Sequence, residues 1–326
     1  MSFWIKEDRL KNEIGKEFTI ILRTKGCSWS LGENGGCSMC GYVQDACIED
    51  ITDEQIITQF STAINSKIQE IESDTDNYIL KIFNSGSFFD DSEISKDVRQ
   101  VIYERIAKIE KVKEIIVESR VEFITSQNLE ELNKNLKEKH VEVAIGLETV
   151  NDRIRNNYIN KNLLFEDFKN CLIMCNEHGI GVKAYLLLKP PFLNEESAIE
   201  DCSSSIRTCI DLNVSTISIN PINIQKGSLV EHLWYRKQYH PPWYYSLFKC
   251  LKNAINSEDL KKVRIMSDPS GAGSKRGIHN CLKRDCNENM KNILNKFVLN
   301  QDLNELNEKY YDCDCHAQYL YKKNYR

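Results

Sequence analysis

The chain has 326 residues, of which 41% are hydrophobic and 28% charged, with a net charge of −5 and thirteen cysteines. That length suits one large α/β barrel plus a smaller appendage, and the balance of charge gives no overall basic field for nucleic acid. No apolar run approaches the ~20 residues of a membrane span, and MSFWIKEDRLKNE is charged throughout, unlike a signal peptide.

Apolar periodicity alternates between short β-branched runs and longer helical stretches, which predicts βα units and a parallel sheet. In sequence order the strands fall at Phe18 to Arg23, Tyr78 to Asn84, Glu114 to Glu118, Val141 to Leu147, Val182 to Leu188 and Thr216 to Asn220. Helices are predicted between them, at Asp53 to Glu70, Ser92 to Ile109, Ser126 to Lys139, Phe165 to His178 and Glu195 to Leu212. Six strands with intervening helices close most simply as a partial (β/α)6 barrel, with chemistry at the C-terminal strand ends. Beyond Asn220 the pattern changes. Pro221, Pro241, Pro242 and Pro269 interrupt it, so a boundary near Pro221 divides a barrel at 1–220 from an extension at 221–326. The extension contains a predicted helix from Trp243 to Asn256, a strand at Val263 to Met266 and a helix near Asn287 to Phe297.

The loop after the first strand, GCSWSLGENGGCSMCGY, carries Cys27, Cys37 and Cys40 in the spacing C-x9-C-x2-C. A [4Fe-4S] cube normally takes four thiolates, so a loop offering three leaves one iron open for a small ligand. That is the arrangement of radical S-adenosylmethionine enzymes. A zinc site is the rival reading, because C-x2-C is a zinc knuckle that needs a second pair of ligands. Cys47, seven residues on, is a further candidate for the fourth ligand. With no sign of export, the protein reads as cytoplasmic, where thiols stay reduced and serve metals or redox chemistry.

If S-adenosylmethionine chelates the open iron, the strand ends must supply its other contacts. After the second strand comes the small polar turn Asn84, Ser85, Gly86 and Ser87, suited to an ammonium group. Glu118 and Glu148, at the ends of the third and fourth strands, are candidates for ribose hydroxyls, and Arg120 or Arg155 for a carboxylate. Lys183 and Lys189 flank the fifth strand's apolar run; a strand-end lysine reaches an anionic group or is simply solvated.

The stretches NSGSFFDD, IGLETVNDRIRNNYINK, GIGVKAYLLLKPPF, INIQKGSLVEHLWYRKQYHPPW and SDPSGAGSKRGIHNC, together with the cysteine loop, resemble the archaeosine-biosynthesis radical S-adenosylmethionine family. That family is related to the Elp3 and MiaB groups, and the resemblance runs from about Phe18 to the terminal cysteines. It implies a [4Fe-4S] cluster on Cys27, Cys37 and Cys40, with Cys47 a bystander, and an enzyme acting on modified tRNA. A partner subunit would first attach lysine to a 7-deazaguanine. The radical enzyme, fed by an electron donor, would then cut the lysine C-N bond and leave the formamidine of archaeosine. It also implies a second metal on Cys281, Cys286, Cys313 and Cys315, either a structural zinc or an auxiliary iron-sulfur cluster. Here the first pair is C-x4-C, wider than the C-x2-C expected of relatives, and His279 and His316 are spare ligands.

Cys171, Cys175, Cys202, Cys209 and Cys250 lie on helical patterns and read as buried small hydrophobes. Basic and aromatic residues interleave from Trp234 to Tyr245 and recur at Lys322, Lys323 and Arg326, a pattern suited either to RNA contact or to a packed aromatic hinge. The alternative functions are a radical enzyme transferring sulfur or carboxymethyl groups, and a non-catalytic zinc protein.

Overall fold

The computed structural model describes residues 1–44, 46, 51–306 and 313–323. Eight strands form one sheet in sequence order: β1 (Ser2–Arg9), β2 (Ile14–Ile21), β3 (Tyr78–Phe83), β4 (Val112–Glu118), β5 (His140–Glu148), β6 (Gly181–Leu188), β7 (Thr216–Pro221) and β8 (Arg264–Met266). The α/β class and the partial barrel are borne out, in a sheet two strands wider than the six expected. β1 was not expected; its half-buried Phe3 and Ile5 alternate with exposed Ser2, Trp4 and Lys6, and Trp4 on the exposed side hides the period. It pairs antiparallel with β2, from Ser2 opposite Ile21 to Arg9 opposite Ile14. The next three ladders are parallel, with Ile21 beside Phe83 and Val117 beside Val143 along the way. At the other edge β8 pairs parallel with β7, so a strand from beyond Pro221 joins the barrel sheet.

The helices are α1 (Ser28–Leu31), α2 (Asp53–Ser73), α3 (Lys96–Ala107), α4 (Ser126–Leu136), α5 (Phe165–Glu177), α6 (Glu195–Asp211), α7 (Leu229–Tyr235), α8 (Tyr244–Ala254), α9 (Arg284–Asn300) and α10 (Cys315–Lys322). Their starts follow local chemistry. Thr52 forms a capping box with Gln55 on α2, while Ser95, Thr125, Asn194 and Ser228 cap α3, α4, α6 and α7 through their side chains. Each such cap stabilises by about 1 kcal/mol. α7 and α10 were missed because each is eight residues or fewer, too short for a periodic signal.

Two compact units interleave along the sequence: 1–35, 42–146 and 166–183 form the first, and 36–41, 147–165 and 184–326 the second. In the first unit the sheet sorts its side chains by the period of two. Phe18, Ile20, Leu80, Ile82, Ile115 and Val117 are all buried on one face, where each is worth roughly 1.5–3 kcal/mol. The alternate positions carry Glu17, Thr19, Lys81, Glu114 and Glu142, buried to 6% exposure or less. Lys81 Nζ donates to Asp8 Oδ2 at 2.6 Å and also to Glu17, so this polar layer holds paired charges. Pairing is what makes a buried charge tolerable.

Candidate functional site

In the first unit the turn after β3 is built around one buried carboxylate. Glu93, 5% exposed, accepts from Thr24 Oγ1 at 2.7 Å, from Asn84 Nδ2 at 2.9 Å and from the backbone N–H of Ser87 at 2.8 Å. It thereby ties the end of β2 to the turn Asn84 to Ser87. Burial pushes its carboxyl pKa up, although all three hydrogen bonds pull the other way. Sequence reading passed over Glu93 because nothing about a lone glutamate nine residues past a strand end distinguishes it from a solvated one.

Gly86 is required there. A Cβ on it would stand 1.7 Å from Glu93 Oε1 and 2.8 Å from the Cα of Cys27. The backbone of the turn thus lies directly against the first cysteine. Cys27 is half-buried, and its carbonyl accepts from the N–H groups of Ser30 and Leu31 at the start of α1. Asn84 Oδ1 is buried with no hydrogen-bond partner among the described residues, an acceptor available to a donor from outside the protein.

The end of β4 leans on the same turn. Glu118 and Ser85 are half-buried, and the Glu118 carbonyl accepts from Phe88 N–H at 2.8 Å. Arg120 N–H donates to Ser87 Oγ at 3.1 Å. The Arg120 guanidinium pairs with Glu122 and lies 5.6 Å over the Trp29 ring, beside Cys27 in sequence. Asn84, Ser85, Gly86, Ser87, Glu118 and Arg120 therefore lie together at neighbouring strand ends.

In the second unit the segment 36–41 carries Cys37 and Cys40, both half-buried. Gly36 has φ +76, open to glycine at little cost, and its carbonyl accepts from Asn160 Nδ2 at 2.7 Å. Ser38 N–H donates to the Ile159 carbonyl and Ser38 Oγ to the Tyr158 carbonyl, both at 2.7 Å. Gly41 N–H donates to Gln225 Oε1 at 2.6 Å. Cys37 and Met39 pack against Ile159, Leu187, Ile222, Ile224 and Val230. Cys47 lies outside the described residues.

Glu148, at the end of β5, has φ +66 and is 7% exposed. A non-glycine residue in that region costs on the order of 1–3 kcal/mol and persists where its surroundings fix it. Lys161 Nζ meets Glu148 Oε1 at 2.9 Å, and Asn160 and Asn162 on either side also have positive φ. Lys161 is a cation that sequence reading missed. Arg155 is fully buried; its guanidinium donates to the carbonyls of Leu163 and Thr149 and pairs with Asp152. Those bonds tie down the loop after β5.

Near the C-terminus the sulfurs of Cys281, Cys286, Cys313 and Cys315 all lie within 4.8 Å of one another. Cys281 and Cys313 are 3.9 Å apart, and Cys286 and Cys315 are 3.8 Å apart. Burial pushes the Cys286 thiol up and Cys315 to about 11, while the backbone N–H of Cys315 pulls Cys313 down. Four thiols so close cannot all ionise without a cation among them. The wider C-x4-C spacing is no obstacle, because Cys286 lies in the first turn of α9 and points back to Cys281. His279 donates Nδ1–H to the Gly277 carbonyl and His316 packs against Tyr245 and Tyr319, leaving a gathered set of sulfurs alone.

Of the basic and aromatic stretch, Tyr239, Trp243 and Tyr245 are buried, whereas Tyr235, Arg236, Lys237 and His240 are exposed. Lys322 is exposed and Lys323 half-buried; Arg326 lies outside the described residues. Cys171, Cys175, Cys202, Cys209 and Cys250 are buried, as expected.

The partial-barrel sheet is a fold this chain shares with a solved structure. Elp3 of Methanocaldococcus infernus has this fold, with a TM-score of 0.51 at 15% identity over 74% of this chain and 59% of that one. No family model matches the sequence. The archaeosine synthase subunit beta of Methanosarcina acetivorans is 38% identical over 98% of this chain and 88% of its own length. That of Thermococcus kodakarensis is 38% identical over 98% of this chain and 96% of its own. The chain belongs to the archaeosine synthase subunit beta family. No helix among the described residues is long and apolar enough to cross a membrane.

Proposed function

We propose that the protein is the radical enzyme of archaeosine formation: it cleaves the C-N bond in the side chain of a lysine joined to 7-deazaguanine in tRNA, leaving the nitrogen as the formamidine of archaeosine. Membership of the archaeosine synthase subunit beta family, over nearly the full length of the sequence, supports this reading. The word subunit in that family's name also supports a partner subunit, which would attach the lysine; a cytoplasmic site of action and a separate electron donor belong to the same proposal.

Cys27, Cys37 and Cys40 would hold a [4Fe-4S] cluster, and S-adenosylmethionine would sit across the strand ends. Together, when bound and reduced, these groups supply a carbon-centred radical that removes hydrogen from an unactivated carbon. The fit rests on features already described: half-buried thiols, a turn backbone laid against Cys27, and the acceptor Asn84 Oδ1, without a partner among the described residues. The turn Asn84 to Ser87 would accept from the cofactor's ammonium group, Glu118 and Glu148 from its ribose hydroxyls, and Arg120 would pair with its carboxylate. Lys161 shares that last task better than Arg155, whose donors are engaged by loop carbonyls. The protein's work is to hold these groups in register and to keep water from the radical.

The four C-terminal cysteines would bind a structural zinc. A tetrahedron with Zn–S bonds of about 2.3 Å has edges near 3.8 Å, and two of the sulfur pairs stand 3.8 and 3.9 Å apart. An iron-sulfur cube gives each thiolate its own iron and so spreads the sulfurs more widely. Metal analysis of anaerobically reconstituted protein tests both assignments. Four irons and one zinc per protein molecule, with reductive cleavage of S-adenosylmethionine, are expected; zinc without iron would defeat the radical reading.

A further inference from the structure

Helix α10 begins at one metal ligand and ends against α6. Cys315 opens it, and at its other end the Lys323 carbonyl accepts from the backbone N–H of Glu196 at 3.2 Å while Lys323 Nζ pairs with Glu196 Oε2 at 3.3 Å. Midway, Tyr319 OH lies 3.4 Å from Ser246 Oγ, and the Ser246 hydroxyl donates to Glu195 Oε2. The other oxygen of Glu195 receives Lys189 Nζ at 2.5 Å. The Lys189 carbonyl accepts from Tyr239 OH at 2.7 Å, and its ammonium lies 5.4 Å over the Tyr239 ring.

Lys189, Glu195, Ser246 and Tyr319 are each 4% exposed or less. Lys189 follows β6 directly and has φ +66, a conformation a lysine keeps only where its neighbours impose it. Tyr239 holds its carbonyl and Glu195 its ammonium. Glu195 in turn depends on Ser246 and, through Ser246, on Tyr319.

An eight-residue helix does not hold itself in water. α10 is fixed by Cys315 in the sulfur cluster and by Tyr319, whose ring packs 5.7 Å from Trp243 and 5.2 Å from Tyr245. Tyr245 OH lies 3.3 Å from Cys315 Sγ, so the aromatic packing and the sulfur site share a contact. Every member of this series of contacts belongs to the second unit.

We propose that the metal of the four-cysteine centre is a remote clamp on the end of β6: by fixing α10 it holds Tyr319, and Tyr319, Ser246 and Glu195 act as positioning residues for Lys189. The inference rests on reading the four cysteines as a metal site. A lysine ammonium buried at the C-terminal end of a barrel strand stands where chemistry gathers in such folds, and the clamp makes its placement depend on a metal that touches no reactant.

Amide hydrogen exchange on the full-length reconstituted protein, with metal content measured on the same samples, tests the clamp. Cys313→Ser is expected to lose the metal and to speed exchange in peptides covering 185–198 at least tenfold, leaving those covering 78–83 and 112–118 unchanged. Tyr319→Phe is expected to keep the metal and the exchange rates of 281–286, yet speed 185–198 about threefold. It should add nothing further when combined with Lys189→Met. Wild-type rates at 185–198 in either single variant, with 313–323 loosened in Cys313→Ser, would overturn the clamp. A wild-type protein that binds no metal at these cysteines would defeat the metal reading and the clamp together, and the metal content distinguishes that failure from the first.

Discussion

The two cysteine groups are held by different means. Cys27, Cys37 and Cys40 are fixed by backbone: Cys27 by the N–H groups of α1 and the close turn at Gly86, the other two by Asn160, Ser38 and Gln225 gripping the loop around them. Cys281, Cys286, Cys313 and Cys315 are defined by their sulfurs, drawn within 4.8 Å of one another from a loop and two helix starts. On the proposed reading the first group would hold a cluster with one iron open for a cofactor, and the second would be a closed four-thiolate site beside the aromatic rings of Tyr245 and Tyr319.

Substitutions in the two groups are therefore expected to give separable losses. The largest effect is expected for Cys37→Ala: iron content falls to near zero by elemental analysis, S-adenosylmethionine cleavage disappears, and zinc stays. Cys47→Ala should keep both metals. Gly86→Ala comes next. Its Cβ would enter the space of Glu93 and the Cys27 backbone, so overpacking costs at least about 2 kcal/mol, read as a lowered urea midpoint together with reduced iron uptake.

Cys313→Ser does the converse, losing zinc while retaining iron, and lowers Tm by roughly 5–10 °C. Equal loss of both metals in either variant would break the comparison. The smallest effect is expected at Asp201, which accepts from Thr149 Oγ1 at 2.7 Å in the second unit. Burial raises its pKa from 3.8 to about 6, against the pull of Thr149 and Arg155. The folded state therefore binds a proton that the unfolded state has released between about pH 4 and 6, and stability falls as pH rises through that window. Asp201→Asn should raise Tm at pH 8 by a few degrees, and the difference should vanish below about pH 4.

The barrel was legible because apolar runs and helix periods alternate plainly from β2 onward, and Thr52, Ser95, Thr125 and Asn194 announce helix starts. β1 was hidden because Trp4 on its exposed side masks the period of two. The first cysteine group is proposed from its spacing and the turn Asn84 to Ser87 from its place after a strand, whereas the second group, whose sulfurs the structure gathers, was reached through the family resemblance. Glu93 and Lys161 were not legible, since each acts through a partner distant in sequence: Glu93 through Thr24, and Lys161 through a glutamate whose left-handed φ no residue type announces. For Arg155 the charge was evident, but its burial against loop carbonyls was visible only in three dimensions.

The most direct test uses the reduced, reconstituted full-length protein with tRNA that carries lysine on its 7-deazaguanine, followed by mass analysis of the digested nucleosides. The account predicts conversion of the lysine-bearing nucleoside to archaeosine, with 5′-deoxyadenosine formed alongside. Formation of 5′-deoxyadenosine while the lysine-bearing nucleoside remains unchanged would contradict it.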